Sequence, residues 1–122
     1  MQPIVRRADE HAEYFFKEGC HILELSNTSE DPAVSIARAR VAPGVTTRRH
    51  CLHGITERYV ILQGKGRVEV ADRAAQAVGP GDVVFVPPNA SQRIANIGIG
   101  DLVFLAVCTP RFVDGAYEDL DG

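Results

Sequence analysis

No apolar run in this 122-residue sequence approaches the roughly 20 residues that a membrane-spanning helix needs. The stretch from Met1 to Glu13 is polar and lacks the apolar middle of a secretory signal, so the expected location is the cytoplasm. Cysteine is scarce. Cys20, Cys51 and Cys108 are odd in number and far apart, which excludes a disulfide framework and a paired C-x-x-C zinc site. Net charge is small as well, at −3, and this argues against nucleic acid, which calls for a basic face. Internal repeats, low-complexity tracts and interdomain linkers are missing too.

What is present reads as one globular domain of ordinary composition, 45% hydrophobic and 24% charged. Val34 to Val41 has period two, with Ser35, Ala37, Ala39 and Val41 on one face and Val34, Ile36, Arg38 and Arg40 on the other. The small face is expected to turn inward and the arginines outward. Cys20 to Leu25 and Ser91 to Ala95 also alternate. Arg58 to Leu62 and Gly66 to Ala71 read as strands, joined by Gln63-Gly64-Lys65 as a hairpin. A short turn and strand follow over Asp72 to Val78. Val83 to Val86 is continuously apolar, the pattern of a strand buried on both faces, and Leu102 to Val107 reads as a last buried strand. Only Ala8 to Glu18 suggests a short helix, ended by Gly19. Short strands separated by turns predict an all-β sandwich or barrel.

The chemistry concentrates between Gly44 and Gly64, GVTTRRHCLHGITERYVILQG, where His50, Cys51, His53 and Glu57 crowd together. Imidazole, thiolate and carboxylate are the side chains that hold divalent metals. A second stretch, Gly79 to Gly98, reads GPGDVVFVPPNASQRIANIG.

Together these two stretches resemble the motifs of the cupin superfamily. The first cupin motif is Gly, five residues, His-x-His, three or four residues, Glu, six residues, Gly. Here Gly44, His50, Glu57 and Gly64 fit one register, with Leu52 at the second histidine position. Cys51, His53 and Glu57 fit another. Residues two apart on a strand share a face and residues three apart do not, so His50 and His53 converge only if the chain bends near Gly54. The second motif fits as Gly81, Pro87-Pro88-Asn89, Gln92 and Asn96, with Asn89 for the usual glycine and Gln92 for the usual histidine.

The resemblance implies a double-stranded β-helix, or jelly-roll, barrel. It spans about residues 34–107, with an N-terminal arm over 1–33 and a tail over 109–122. The chain is similar to small single-domain bacterial cupins labelled mannose-6-phosphate isomerase-like. It implies a divalent metal ion (Mn, Fe, Ni or Zn) on His50, His53, Glu57 and Gln92. Tyr59 shares the strand face of Glu57 and is a candidate to line a substrate pocket. Cys51 reads as a small core or rim residue, and Cys20 and Cys108 as buried structural thiols. The function expected is metal-assisted chemistry on a small polar substrate, such as carbohydrate isomerisation. The alternative is a non-enzymatic small-ligand binder with a degenerate metal set. A homodimer is expected, with Tyr14, Phe15 and Phe16 as its contact, because open barrels leave edge strands to cover.

Overall fold

The computed structural model describes residues 2–122. Eleven strands follow one another: β1 Tyr14–Phe16, β2 Cys20–Ser26, β3 Ser35–Val41, β4 His50–Leu52, β5 Thr56–Gln63, β6 Gly66–Val70, β7 Gln76–Val78, β8 Val83–Val86, β9 Gln92–Asn96, β10 Leu102–Thr109 and β11 Tyr117–Asp119. They form a six-stranded sheet in the order β1-β2-β3-β10-β5-β8 and a five-stranded sheet in the order β11-β4-β9-β6-β7. All recorded pairings are antiparallel, and the fold is the expected jelly-roll barrel of two sheets. Among the described residues no helix is long and apolar enough to cross a membrane.

Alternation explains the inner layer. Glu57, Tyr59 and Ile61 point inward from β5, and Leu102, Phe104 and Cys108 from β10. Tyr59, Ile61, Leu102 and Phe104 fill the main core with Val41, Val68 and Ile94, and Leu52, Ile55, Cys108 and Ala116 make a smaller cluster at one end. On β3 the small face turns inward as expected. Arg38 and Arg40 stand outside and pair with Glu10 and Glu13 at 2.7–3.2 Å, which ties the N-terminal segment over the sheet.

Four local expectations fail for identifiable reasons. The expected helix over Ala8 to Glu18 is a single 3-10 turn, Glu10–Ala12, followed by strand β1. Consecutive aromatics suit a strand better, because successive side chains part to opposite faces. Phe16 packs edge-on against Phe112 and Tyr117, while Phe15 packs on His21. The segment Gln63-Gly64-Lys65 is not a hairpin, since β5 and β6 belong to different sheets. Strand β8 is an edge strand: Val84 and Val86 are buried, but Val83 and Phe85 are 62% and 58% exposed. Finally β10 is not the last strand, because β11 pairs with β4.

Gly64 makes the crossing between sheets possible. Its φ is +86°, and a Cβ there would lie 2.6 Å from the Asp101 carbonyl oxygen. Gly44 also has positive φ, +79°, but faces open space. Gly44→Ala should therefore cost only backbone strain, about 1–2 kcal/mol. Gly64→Ala should cost about 1–3 kcal/mol more, because backbone must also shift. Urea unfolding of both variants checks this, and equal midpoints would show that the contact at Gly64 yields freely.

Candidate functional site

One end of the barrel holds a cavity of about 50 Å³, enough for an ion with water or a small polar group. Its polar lining includes Glu18, His50 and Glu57, and its apolar lining includes Phe16, Leu52 and Phe112. Strand β4 supplies His50, which pairs in register with Gln92 of β9 and Asp119 of β11. Strand β5 supplies Glu57, opposite Cys108 of β10. Glu18 comes from the turn between β1 and β2.

His50 is 2% exposed and fixed from two sides. Its Nδ1 donates to the Arg48 carbonyl at 2.7 Å, which leaves Nε2 with a free lone pair. The ring stacks on Tyr117, centroids 5.1 Å apart and planes 20° apart. Burial holds the imidazole below the ordinary histidine range, against the pull of the Arg48 carbonyl. Its Nε2 faces Glu18 Oε1 at 3.8 Å.

The two carboxyl groups are the unusual feature. Glu57 is pushed up to about 7 by burial and then by the Glu18 charge, with His50 opposing. Glu18 is pushed up to about 7 by burial, with the Cys20 thiol opposing. The Cys108 thiol points at Glu57 Oε2 at 3.9 Å, and Glu57 Oε1 has no partner. Gln92 is buried, its Oε1 accepts from the Tyr59 hydroxyl, and its Nε2 has no partner. Tyr59 stacks on Phe104 at 4.5 Å and lies among the core residues rather than in the cavity lining.

This geometry can be set beside known proteins. The cupin-domain family profile matches residues 37–108. An uncharacterised protein of Methanocaldococcus jannaschii is 31% identical over 123 aligned positions, which cover 99% of this chain and 95% of that protein. The chain belongs to the cupin family. Solved structures share the fold at lower identity. Streptomyces PAC13, solved with uridine, superposes with a TM-score of 0.77 at 18% identity, over 98% of this chain and 92% of that one. PAC13 is described as a nucleoside dehydratase. Bacillus subtilis oxalate decarboxylase, studied for its Mn(II) centres, gives 0.76 at 24% identity over 91% of this chain, which spans only 30% of that protein.

Of the four residues expected to hold a metal in this cupin, the structure places His50 and Glu57 in the cavity lining, buries Gln92 in the wall behind it, and leaves His53 outside. The His53 side chain is 55% exposed and lies 2.6 Å from Glu118 Oε1. Gly54 does bend the chain, with φ +74°, but only after His53. Leu52, two residues beyond His50, therefore takes the inward position, and His50, Leu52 and Glu57 all line the cavity. Glu18 went unforeseen because its segment reads as a helix end. No local periodicity marks it, because residues 17–19 form the turn between β1 and β2, where the two-residue strand period lapses.

The donor types suit a divalent ion, but among the described residues Glu18, His50 and Glu57 do not bring their ligand atoms within 4.8 Å of one another, so holding an ion requires these side chains to close in. An imidazole nitrogen with a free lone pair, an orphaned Glu57 oxygen and the half-buried Glu18 carboxyl make a mixed nitrogen–oxygen set. Gln92 fits less directly, since its oxygen is engaged by Tyr59.

Without a cation the carboxyls should govern pH stability. In the unfolded chain they ionise near 4.5, whereas the folded protein holds them protonated up to about 7. The folded state then binds more protons between those values. Their contribution is complete below about 4.5 and is lost as pH rises through about 7. Chelator-treated protein should lose on the order of 2 kcal/mol more than its Glu57→Gln variant between about pH 5 and pH 8. Urea unfolding at both pH values measures it, and equal losses would remove Glu57 as the titrating group.

Proposed function

We propose that this cupin is a metal-dependent enzyme acting on a small polar substrate. The observation that carries the proposal is the buried, unpartnered Glu57 Oε1 in the same cavity lining as His50, whose Nε2 keeps its lone pair. His50 and Glu57 would hold the ion, and Glu18, which faces His50 Nε2 across the cavity, would stay free of it. The donor mixture, one imidazole with a carboxylate, favours Mn or Fe over softer ions. When bound, such an ion polarises a carbonyl or hydroxyl oxygen as a Lewis acid.

The chain's own residues supply the rest. Phe16, Leu52 and Phe112 make part of the lining apolar, and a cavity of about 50 Å³ suits a small group. Glu18 sits close enough to neutrality to carry a proton at physiological pH. Once ionised, it would take a proton from the hydroxyl-bearing carbon next to a carbonyl and return it to the carbonyl carbon, while the hydroxyl proton passes to the carbonyl oxygen, a redox-neutral isomerisation. Sugar isomerisation is the class this favours. Metal chemistry in oxalate decarboxylase and dehydration in PAC13 belong to those proteins, and they support small-molecule work in barrels of this shape.

A second reading is a ligand binder without metal, favoured by Leu52 in the second histidine position and by the engaged Gln92 oxygen. Electron paramagnetic resonance of added Mn²⁺ separates the two. Bound Mn²⁺ is expected, weakened about tenfold or more by His50→Ala and by Glu57→Gln. Protein that leaves Mn²⁺ free, yet melts higher with a small sugar or acid, would establish the binder instead.

We also propose a homodimer through β1, the edge strand on which Phe15 is 65% exposed. Light scattering should give twice the chain mass, and Phe15→Glu should give the monomer. A monomeric parent would refute it.

A further inference from the structure

A second group of ligating side chains lies on the other face of β4. Cys51 Sγ is 3.7 Å from His53 Nε2 and 3.8 Å from Glu118 Oε1, and His53 Nε2 is 2.6 Å from Glu118 Oε1. Nothing in the proposed chemistry uses these three residues. We infer that Cys51, His53 and Glu118 form an outer metal site, separate from the barrel cavity, that takes Zn²⁺ or a similarly borderline-soft ion with water in the open position.

Strand pairing builds the cluster. In the β4–β11 ladder Cys51 lies directly opposite Glu118. The His53 amide donates to the Ala116 carbonyl at 2.8 Å, which fixes the end of the ladder where the imidazole projects. Among the described residues these are the three whose ligand atoms all lie within 4.8 Å of one another.

The distances suit tetrahedral coordination. With Zn–S near 2.3 Å and Zn–N or Zn–O near 2.0–2.2 Å, a tetrahedral ion separates sulfur from nitrogen or oxygen by roughly 3.6 Å. Both sulfur distances in the cluster already match this. The His53–Glu118 contact is a hydrogen bond and must lengthen to about 3.3 Å once the ion replaces its proton.

A nucleophilic triad fits less well. A relay needs one ring nitrogen toward the thiol and the other toward the carboxylate. Here both contacts run to the same Nε2, so the three groups converge on a point instead of forming a chain. Burial and the Glu118 charge also hold the Cys51 thiol above its ordinary range, unlike an activated nucleophile. A cation at the convergence point would reverse that, releasing the thiol proton on binding. Thiolate and imidazole select against Mg²⁺ and Ca²⁺. Access is open, since the His53 and Glu118 side chains are 55% and 52% exposed.

The placement gives this ion a consequence for the barrel. Bound there, it would staple β11 to β4 through side chains. Tyr117, the neighbour of Glu118, stacks on His50 inside the barrel. The outer ion would therefore hold the stacking partner of the inner histidine in place.

Cobalt substitution of the full chain tests the site. Co²⁺ added to chelator-treated protein should produce a thiolate-to-metal charge-transfer band at about one equivalent, quenched by Zn²⁺. Cys51→Ser should abolish the band. His53→Ala and the exposed variant Glu118→Gln should each weaken Co²⁺ binding about tenfold or more. His50→Ala and Cys108→Ser should keep the band, which separates this site from the barrel cavity. Zn²⁺ should raise the melting temperature of the parent and of His50→Ala but not of Cys51→Ser. No band in excess Co²⁺, a band that survives Cys51→Ser, or one lost with Cys108→Ser would overturn the site.

Discussion

Two carboxyl groups buried against one neutral imidazole set the terms for this barrel. Glu18 and Glu57 face the same small cavity, and burial keeps both from ionising at their ordinary pH. An isolated buried carboxylate is costly, so each must hold a proton or share a cation. His50 offers no positive charge, because its Nδ1 proton is committed to the Arg48 carbonyl and burial disfavours a second one. The surrounding core must supply the stability that these groups withdraw. It does so with Val41, Ile61, Ile94 and Leu102, all almost wholly shielded from solvent.

Strand β4 is where that constraint meets the surface. It is three residues long and buried throughout, yet its alternation points His50 and Leu52 inward and Cys51 outward. On one side β4 is held by β9 through the single pair His50–Gln92, and on the other by β11 through three pairs. The C-terminal strand therefore does more to position the site histidine than the sheet interior does. Arg48 adds to this by pairing with Asp119 of β11 at 2.7 Å while its carbonyl fixes the histidine tautomer.

How much of this the sequence announced depends on whether the signal was periodic. The β3 alternation fixed both the inward small face and the outward arginines. The spacing from Gly44 through His50 and Glu57 to Gly64 marked two side chains that both turn into the cavity, because a two-residue period carries facing information. Two kinds of information were hidden. Sheet membership is not local, so the apolar run of β8 looked central although it lies on an edge, and β5–β6 looked like a hairpin although the chain changes sheets at Gly64. Glu18 was obscured by helix-compatible residues around it, and it lies in the turn between β1 and β2, where no strand period marks an inward face. Likewise His53 could not be placed without knowing that the bend begins one residue later, at Gly54.

The second motif shows what becomes of a ligand position that no longer carries imidazole. Asn89 adopts φ +69° and accepts from the Gly54 amide at 3.0 Å, locking the two motif turns together. Asn96 donates to the carbonyls of Val41 and Gly100 and accepts from the Gly98 amide, closing the turn before β10. Gln92 accepts from Tyr59 and anchors a buried aromatic. These side chains build the barrel wall. The polar group that faces His50 Nε2 comes instead from the β1–β2 turn, as Glu18. Exchanging a neutral imidazole on β9 for an anionic carboxyl on that turn changes what the cavity selects. A divalent cation placed there would meet two carboxylates and be neutralised, whereas a neutral ligand would meet two protonated acids able to donate hydrogen bonds. The cavity's preference therefore turns on protonation near neutrality, and that follows from depth of burial more than from the identity of any one motif residue.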